Sequence, residues 1–365
     1  MELKTKNDLI MKTKRICLFI DSLFNSGGME RISVDLANEL VNSGFDVDFV
    51  VCSDNTDSFF ELNEHIEIIS IHTDSRTGSK LAGAKIIRQL WKERHYDMWI
   101  NVGIHLIKMV FLSGIRRKGC KIITWEHFSS NRNYTRIKWW MMAMMSDAVV
   151  VLTEADKAVY HPMLRDKVHV IANFSVANLQ EKSSTCAESI VISVGRLEYT
   201  KGFDLLINAW AIVARTHPTW KLKIFGEGEE RGSLEKQIHD FNLKSVELPG
   251  RNEHIIDELT QASIYAMSSR YESFGIGIIE AMSAGLPVVC FNCAYGPPEI
   301  VVDGVTGLQT PCYNIEKYAE NLSKLISDVE LRKSYGSNGL KRFNELYTKE
   351  RVIGTWLELI SRVLR

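Results

Sequence analysis

Short apolar runs alternate with amphipathic helical segments almost from end to end of this chain, and that alternation limits the fold more than any other feature. Arg15–Asp21, Val47–Cys52, Ile66–Ile71, Met98–Val102, Lys121–Trp125, Ala148–Thr153 and Val168–Ala172 read as strands in the first half. Ile190–Val194, Leu222–Phe225, Val246–Leu248, Ile264–Met267 and Val288–Phe291 repeat the pattern in the second. Helical spacing fills most of the gaps, as in Glu30–Asn42, closed by Gly44, and Arg136–Met145. Strand–helix–strand repetition calls for parallel sheets covered by helices on both faces. The expected fold class is therefore α/β, with two Rossmann-like doubly wound domains facing each other across a cleft.

The punctuation of the pattern suggests the boundaries. Residues 1–12 are polar and expected to be disordered. Residues 13–175 form the first domain, the polar stretch 176–188 a linker, and residues 189–345 the second domain. Residues 346–365 carry Val352, Trp356, Leu357, Leu359, Ile360 and Val363 at helical spacing, the apolar face of a C-terminal helix expected to cross back to the first domain.

Composition excludes several function classes. The formal net charge of the 365 residues is −1, which gives no global field towards nucleic acid, so no nucleic-acid partner is expected. No apolar run reaches the ~20 residues of a membrane-spanning helix, and the N-terminus lacks the apolar core of a secretion signal. Seven scattered cysteines fit a reduced, cytoplasmic protein. Cys290 and Cys293 form a C-x-x-C with no second ligand pair, a spacing better explained by burial as small hydrophobes.

Doubly wound folds bind ligands at the carboxyl ends of their strands, so functional residues are sought on strand-to-helix turns. The richest turn is Arg270-Tyr271-Glu272-Ser273-Phe274-Gly275-Ile276-Gly277-Ile278-Ile279-Glu280. Its glycines allow backbone N–H groups to approach a diphosphate at a helix N-terminus. Glu280 is placed to accept hydrogen bonds from ribose hydroxyls, and Glu272 to reach the sugar beyond the phosphates. Upstream, Gly195-Arg196 leaves a strand and Lys201-Gly202 enters a helix. A cation opposes the dipole at a helix N-terminus, so Lys201 suits an anion, with Arg196 as a planar fork beside it. Gly27-Gly28 precedes the first helix and reads equally as an anion-binding turn or a flexible loop. Gly226-Glu227-Gly228 resembles a dinucleotide fingerprint, but its third glycine is misplaced and three glutamates would repel a pyrophosphate. His127 ends a strand, where it suits a sugar hydroxyl, proton transfer or a structural role. Asp46-Val47-Asp48 has no second carboxylate cluster to complete a metal shell and reads as a solvated strand entrance. No metal site is expected.

Taken in order, these motifs resemble the family 4 retaining glycosyltransferases, which have the GT-B fold. The matching stretches are Gly27-Gly28-Met29-Glu30-Arg31, His127, Gly195-Arg196-Leu197 through Lys201-Gly202, and Phe225-Gly226-Glu227-Gly228. They continue with Leu248-Pro249-Gly250, Glu272 through Glu280, Ala284-Gly285-Leu286-Pro287, and Gly296-Pro297-Pro298-Glu299-Ile300. The resemblance implies a nucleotide diphosphate sugar, expected to be UDP-linked, as donor substrate and no cofactor. Arg196 and Lys201 would hold the diphosphate, Glu280 the ribose, and Gly250 and Arg251 would lie by the base. Phe274, Gly275 and Ile276 would offer backbone contacts and Glu272 would sit near the transferred sugar. Gly27 and Gly28 would approach the diphosphate, and His127 the reacting centre.

The implied acceptor is a glycan or lipid-linked glycan of cell-surface polysaccharide or lipopolysaccharide synthesis. Residues 116–145, basic and then rich in Trp and Met, suit peripheral contact with an anionic membrane on its inner face, or alternatively a core helix with a solvated basic start. Two other functions remain open at this point: a nucleotide-sugar 2-epimerase using Glu126, His127 and Glu272, and a silent glycan-binding subunit.

Overall fold

The computed structural model describes residues 13–25, 27–74, 78–127, 136–175, 183–252 and 254–365. The expectations for residues 1–12, for most of the 176–188 linker and for the basic start of the 132–145 stretch lie outside the described residues. The chain divides into two compact units, one formed by residues up to Val151 with Lys157–Val170 and Ile353–Arg365, the other by Leu152–Asp156 with Ile171–Val352.

The first unit is built on seven strands, β1 (Arg15–Ile20), β2 (Asp46–Val51), β3 (Glu67–Ser70), β4 (Met98–Val102), β5 (Lys121–Trp125), β6 (Ala148–Val151) and β7 (Val168–Val170). Their order across the sheet is β3-β2-β1-β4-β5-β6-β7, and every pairing is parallel. Strands buried on both faces need no polar alternation, which is why β1 and β4 read as continuous apolar runs. Trp99 packs edge-on against Phe19 and Tyr96, with ring centroids 5.8 and 5.6 Å away. The C-terminal helix Lys349–Leu364 sets Trp356, fully buried, against Trp125 at 4.8 Å.

One strand entrance differs from expectation. Asp48 is buried rather than solvated and accepts a 2.7 Å hydrogen bond from the Tyr96 hydroxyl. The turn that follows helix Lys80–Arg94 brings Tyr96 down over it, and burial raises the Asp48 pKa. Asp46 meets solvent and Arg15, whose Nε donates to it at 2.7 Å.

The second unit contains β8 (Ile190–Val194), β9 (Lys221–Phe225), β10 (Val246–Gly250), β11 (Ile264–Met267), β12 (Val288–Phe291) and β13 (Gly307–Thr310). The order is β10-β9-β8-β11-β12-β13, again all parallel. Alternate residues point to opposite faces. Val191, Ile264 and Val289 pack with helices Phe203–Thr216 and Ile315–Ser327, while Ile192, Tyr265 and Val288 pack with helix Ile276–Ser283. β13 is absent from the sequence reading: Gly-Leu-Gln-Thr is too short and mixed to register, and pairing with β12 makes it a strand. Leu152–Asp156 joins this unit through Glu299, whose carboxylate accepts from the N–H groups of Glu154 and Ala155 at 2.9 and 2.7 Å. All seven cysteines are free thiols, and six are buried, Cys290 and Cys293 among them.

Candidate functional site

In the second sheet the strand order reverses direction between β8 and β11, the place where open α/β sheets hold their ligands. The loops leaving β8, β9 and β10 are stitched together there by backbone. Gly195 N–H donates to Phe225 O, Leu197 N–H to Glu227 O and Gly226 N–H to Gly250 O, at 3.0, 2.9 and 2.9 Å. The G-x-G pair serves this stitching: a side chain at Gly226 (φ +144°) would collide with the Gly195 carbonyl, and one at Gly228 with that of Leu197. These glycines therefore face a neighbouring loop.

Stitching fixes the two cations. Arg196 projects with two-thirds of its side chain exposed, 3.6 Å from Glu198. Lys201 closes the single turn Tyr199–Lys201, and Gly202 at φ +64° then starts helix Phe203–Thr216. The Lys201 ammonium does not stand alone: it donates to Glu272 Oε2 at 2.8 Å, and Ser269 Oγ lies 3.3 Å from the same oxygen.

Arg270 holds this turn from the β11 side. Its guanidinium makes two bonds to Asp204, at 2.7 and 2.6 Å, and a third to Tyr199 O at 2.8 Å. It also lies 4.0 Å from the Tyr199 ring centroid, a cation–π arrangement. Its own N–H donates to Thr200 O at 2.9 Å, and Ser268 Oγ to Lys201 O at 3.1 Å. Sequence reading assigned Arg270 no role; the only signal was its place at the head of the motif.

After Glu272 the chain turns through buried Phe274 and Gly275 (φ +108°) into helix Ile276–Ser283, whose N-terminus has no side-chain cap. Glu280 is half-buried on that helix. Behind it lies Tyr265, which sequence reading also missed: a side chain at Gly277 would strike its hydroxyl. Burial first, then the carboxylates of Glu280 and Glu272, raises the Tyr265 pKa, so the phenol stays neutral between the two glutamates. Gly250 adopts φ +91°, and Arg251 beyond it is exposed. This unit thus gathers Arg196, Lys201, Glu272, Phe274, Gly275, Ile276, Glu280, Gly250 and Arg251 on its carboxyl edge.

Gly27, Gly28 and His127 belong to the first unit. Gly27 is the N-cap of helix Gly28–Asn42, and a side chain on it would run into the carboxylate of Glu30. His127 follows β5, tilted over Trp125 with ring centroids 4.3 Å apart. Burial pushes it down to about 3, and its Nε2 has no partner among the described residues. Neighbouring Glu126 accepts from Ile104 N–H at 2.9 Å, which ties the ends of β4 and β5.

Two parallel Rossmann-like sheets, the second with a Lys–Glu pair and an uncapped helix N-terminus at its switch point, have the architecture of the GT-B class. Residues 177–342 match glycosyl transferases group 1, and residues 26–174 match glycosyltransferase family 4. The chain belongs to this family and is a glycosyltransferase. It is 31% identical to a glycosyltransferase of Haemophilus influenzae over 94% of this chain and 99% of that one. It is 26% identical to the amylovoran biosynthesis glycosyltransferase AmsD of Erwinia amylovora, over 95% and 99%. Among solved structures, Anabaena Alr3699/HepE in complex with UDP superposes with a TM-score of 0.80 at 19% identity, covering 95% of this chain and 100% of that one.

Proposed function

We propose that the chain is a retaining, metal-independent glycosyltransferase that moves a hexose or N-acetylhexosamine from a UDP-sugar to a glycan or lipid-linked glycan in cell-surface polysaccharide synthesis. The observation that carries the reading is the Lys201–Glu272 ion pair beside the solvent-facing Arg196. Cleaving a glycosyl–phosphate bond builds charge on the leaving diphosphate, and two cations with the N-terminus of helix Ile276–Ser283 suit that charge. Phe274, Gly275 and Ile276 offer backbone to it. Glu280 takes the ribose, and Gly250 and Arg251 lie by the base. The acceptor oxygen attacks the anomeric carbon on the face from which the phosphate leaves and passes its proton to that phosphate, so anomeric configuration is kept. Neutral His127 is assigned to a hydroxyl of a bound sugar, and Glu272, paired with Lys201, to orienting the transferred sugar. Support for UDP comes from the ligand of the Anabaena neighbour, and for the polymer from the name of the Erwinia relative.

Peripheral membrane contact belongs to the same proposal. Helix Ile107–Ser113 exposes Phe111 and Leu112, and helix Arg136–Met144 exposes Met141 and Met144. Arg116 is bonded to Asp147 at 2.8 Å, while exposed Arg117 and Lys118 offer cations to anionic headgroups. No helix among the described residues is long and apolar enough to cross a membrane.

Calorimetric titration of UDP, GDP and ADP with EDTA present, on the wild type and on Arg196→Ala, tests the donor reading. UDP is expected to bind alone among the three and at least about tenfold more weakly to the variant, as loss of a charged hydrogen bond predicts. Equal binding by both proteins, or by neither, sinks it.

A further inference from the structure

Three successive carbonyls of the turn that carries Lys201 are received by one short segment at the end of β11. Tyr199 O accepts from Arg270 Nη1 at 2.8 Å, Thr200 O from the Arg270 N–H at 2.9 Å, and Lys201 O from Ser268 Oγ at 3.1 Å. A single 3-10 turn has few bonds of its own, here Lys201 N–H to Glu198 O and Gly202 N–H to Tyr199 O, at 2.9 and 3.2 Å. Its place is therefore set by what it docks on. Gly202 lets the docking close, since a Cβ at its φ of +64° would run into the Ser268 carbonyl.

Arg270 reaches past Lys201 on both sides. Its guanidinium holds Tyr199 O on one side and both carboxylate oxygens of Asp204 on the other, at 2.7 and 2.6 Å. The Tyr199 ring covers the same guanidinium at 4.0 Å. The Arg270 side chain is only 10% exposed, whereas that of Arg196 is 66% exposed, so Arg270 serves the turn and Arg196 faces outward. Just beyond Arg270 the same segment carries Glu272, which accepts from the Lys201 ammonium at 2.8 Å. One register between residues 199–204 and 268–272 therefore decides where that cation stands. The lysine's own stem does not, because four rotatable carbons leave its ammonium many positions.

We infer that Arg270 is the positioning residue for Lys201: by bracing residues 199–204 against the end of β11, it sets where the Lys201 ammonium meets the diphosphate. This rests on the donor reading and adds to it a residue that works through the turn. The role is specific to arginine. A planar fork grips both carboxylate oxygens and a carbonyl at once, and an ammonium cannot hold the three in one geometry. Arg270→Lys keeps the charge and removes the brace.

The test is a cycle of full-chain variants with UDP as the calorimetric probe: wild type, Arg270→Lys, Lys201→Ala and the two combined. Arg270→Lys is expected to weaken UDP binding about tenfold, and the double variant to match Lys201→Ala within about twofold, because Arg270 acts through Lys201. Undiminished affinity in Arg270→Lys, or losses that multiply in the double variant, overturns the inference. Leu206→Val, a buried change in the helix that follows the turn, controls for lost stability. It should keep UDP affinity within about twofold of wild type, and a loss of about tenfold there would make the Arg270 effect one of folding alone and overturn the assignment. If Arg270→Lys does not fold, Asp204→Asn takes its place in the cycle. A loss of about threefold or more is then expected, absent beside Lys201→Ala, and any other result overturns the inference. If the wild type binds no UDP, the donor reading fails, and positioning is read from urea unfolding instead. The midpoint shifts of Lys201→Ala and Glu272→Gln should be non-additive in the wild-type background and additive beside Arg270→Lys, or beside Asp204→Asn where that stands in; the same outcome in both backgrounds overturns the inference.

Discussion

Lys201 is already engaged by Glu272 in the structure, so on the proposed donor reading a diphosphate shares or takes over a cation that has a carboxylate partner. The pair is only partly exposed, 26% and 14%, which makes removal of one member more damaging than exchange of it. Lys201→Ala is expected to lose UDP affinity by about tenfold or more and to destabilise the protein by ~1–3 kcal/mol, because Glu272 is left without its cation. Glu272→Gln should behave differently. Calorimetry should give UDP affinity equal to or tighter than wild type, while turnover of a UDP-sugar falls by roughly a hundredfold. Lower UDP affinity in that variant would argue against competition for Lys201. His127 makes a residue-level prediction of another kind. Its folded pKa is depressed to about 3, so the unfolded chain takes up the proton first and stability falls as pH drops below about 6.5. Asp156, raised to about 6 by burial, works the other way and favours the folded state as pH falls through that value. Urea unfolding at pH 7.5 and 5 should therefore show a smaller acid loss for His127→Gln than for wild type, with Asp156 unchanged in both.

At the scale of elements, the loops on the carboxyl edge of the second sheet are held together by backbone bonds. Gly226→Ala is expected to destabilise the protein by at least ~2 kcal/mol, read as a Tm lowered by roughly 4–8 °C, since a methyl there meets the Gly195 carbonyl at a φ that L-residues avoid. Wild-type stability in that variant would mean the loops after β8 and β9 separate easily. The same stitching explains what could be read beforehand. Twelve of the thirteen strands among the described residues were visible, most of them because their runs are apolar and buried. β13 was not, since Leu308 is its one large hydrophobe. Glu272, Glu280, Arg196 and Lys201 stood out by type and by position on turns. That Lys201 is paired to Glu272, 71 positions away, and that Arg270 is forked to Asp204, 66 away, has no local signature. The solvated reading of Asp48 failed for the same reason, because Tyr96 covers it from 48 positions downstream.

At the scale of the whole molecule, the first unit is assembled from three stretches of chain, the last of them residues Ile353–Arg365. Trp356 carries much of that attachment, being fully buried and edge-on to Trp125. Trp356→Ala is expected to cost about 3–5 kcal/mol, the range for deleting a buried tryptophan, with proteolysis reporting exposure within the first unit. A loss under ~1 kcal/mol would show that the helix is held elsewhere. The discontinuity also orders events on the ribosome. The first sheet emerges first, yet roughly 180 residues of the second unit must be translated before the helix that covers Trp125 appears. At ~5–20 residues per second, the nascent first unit waits roughly 10–40 s with that tryptophan's face open to water or to a chaperone.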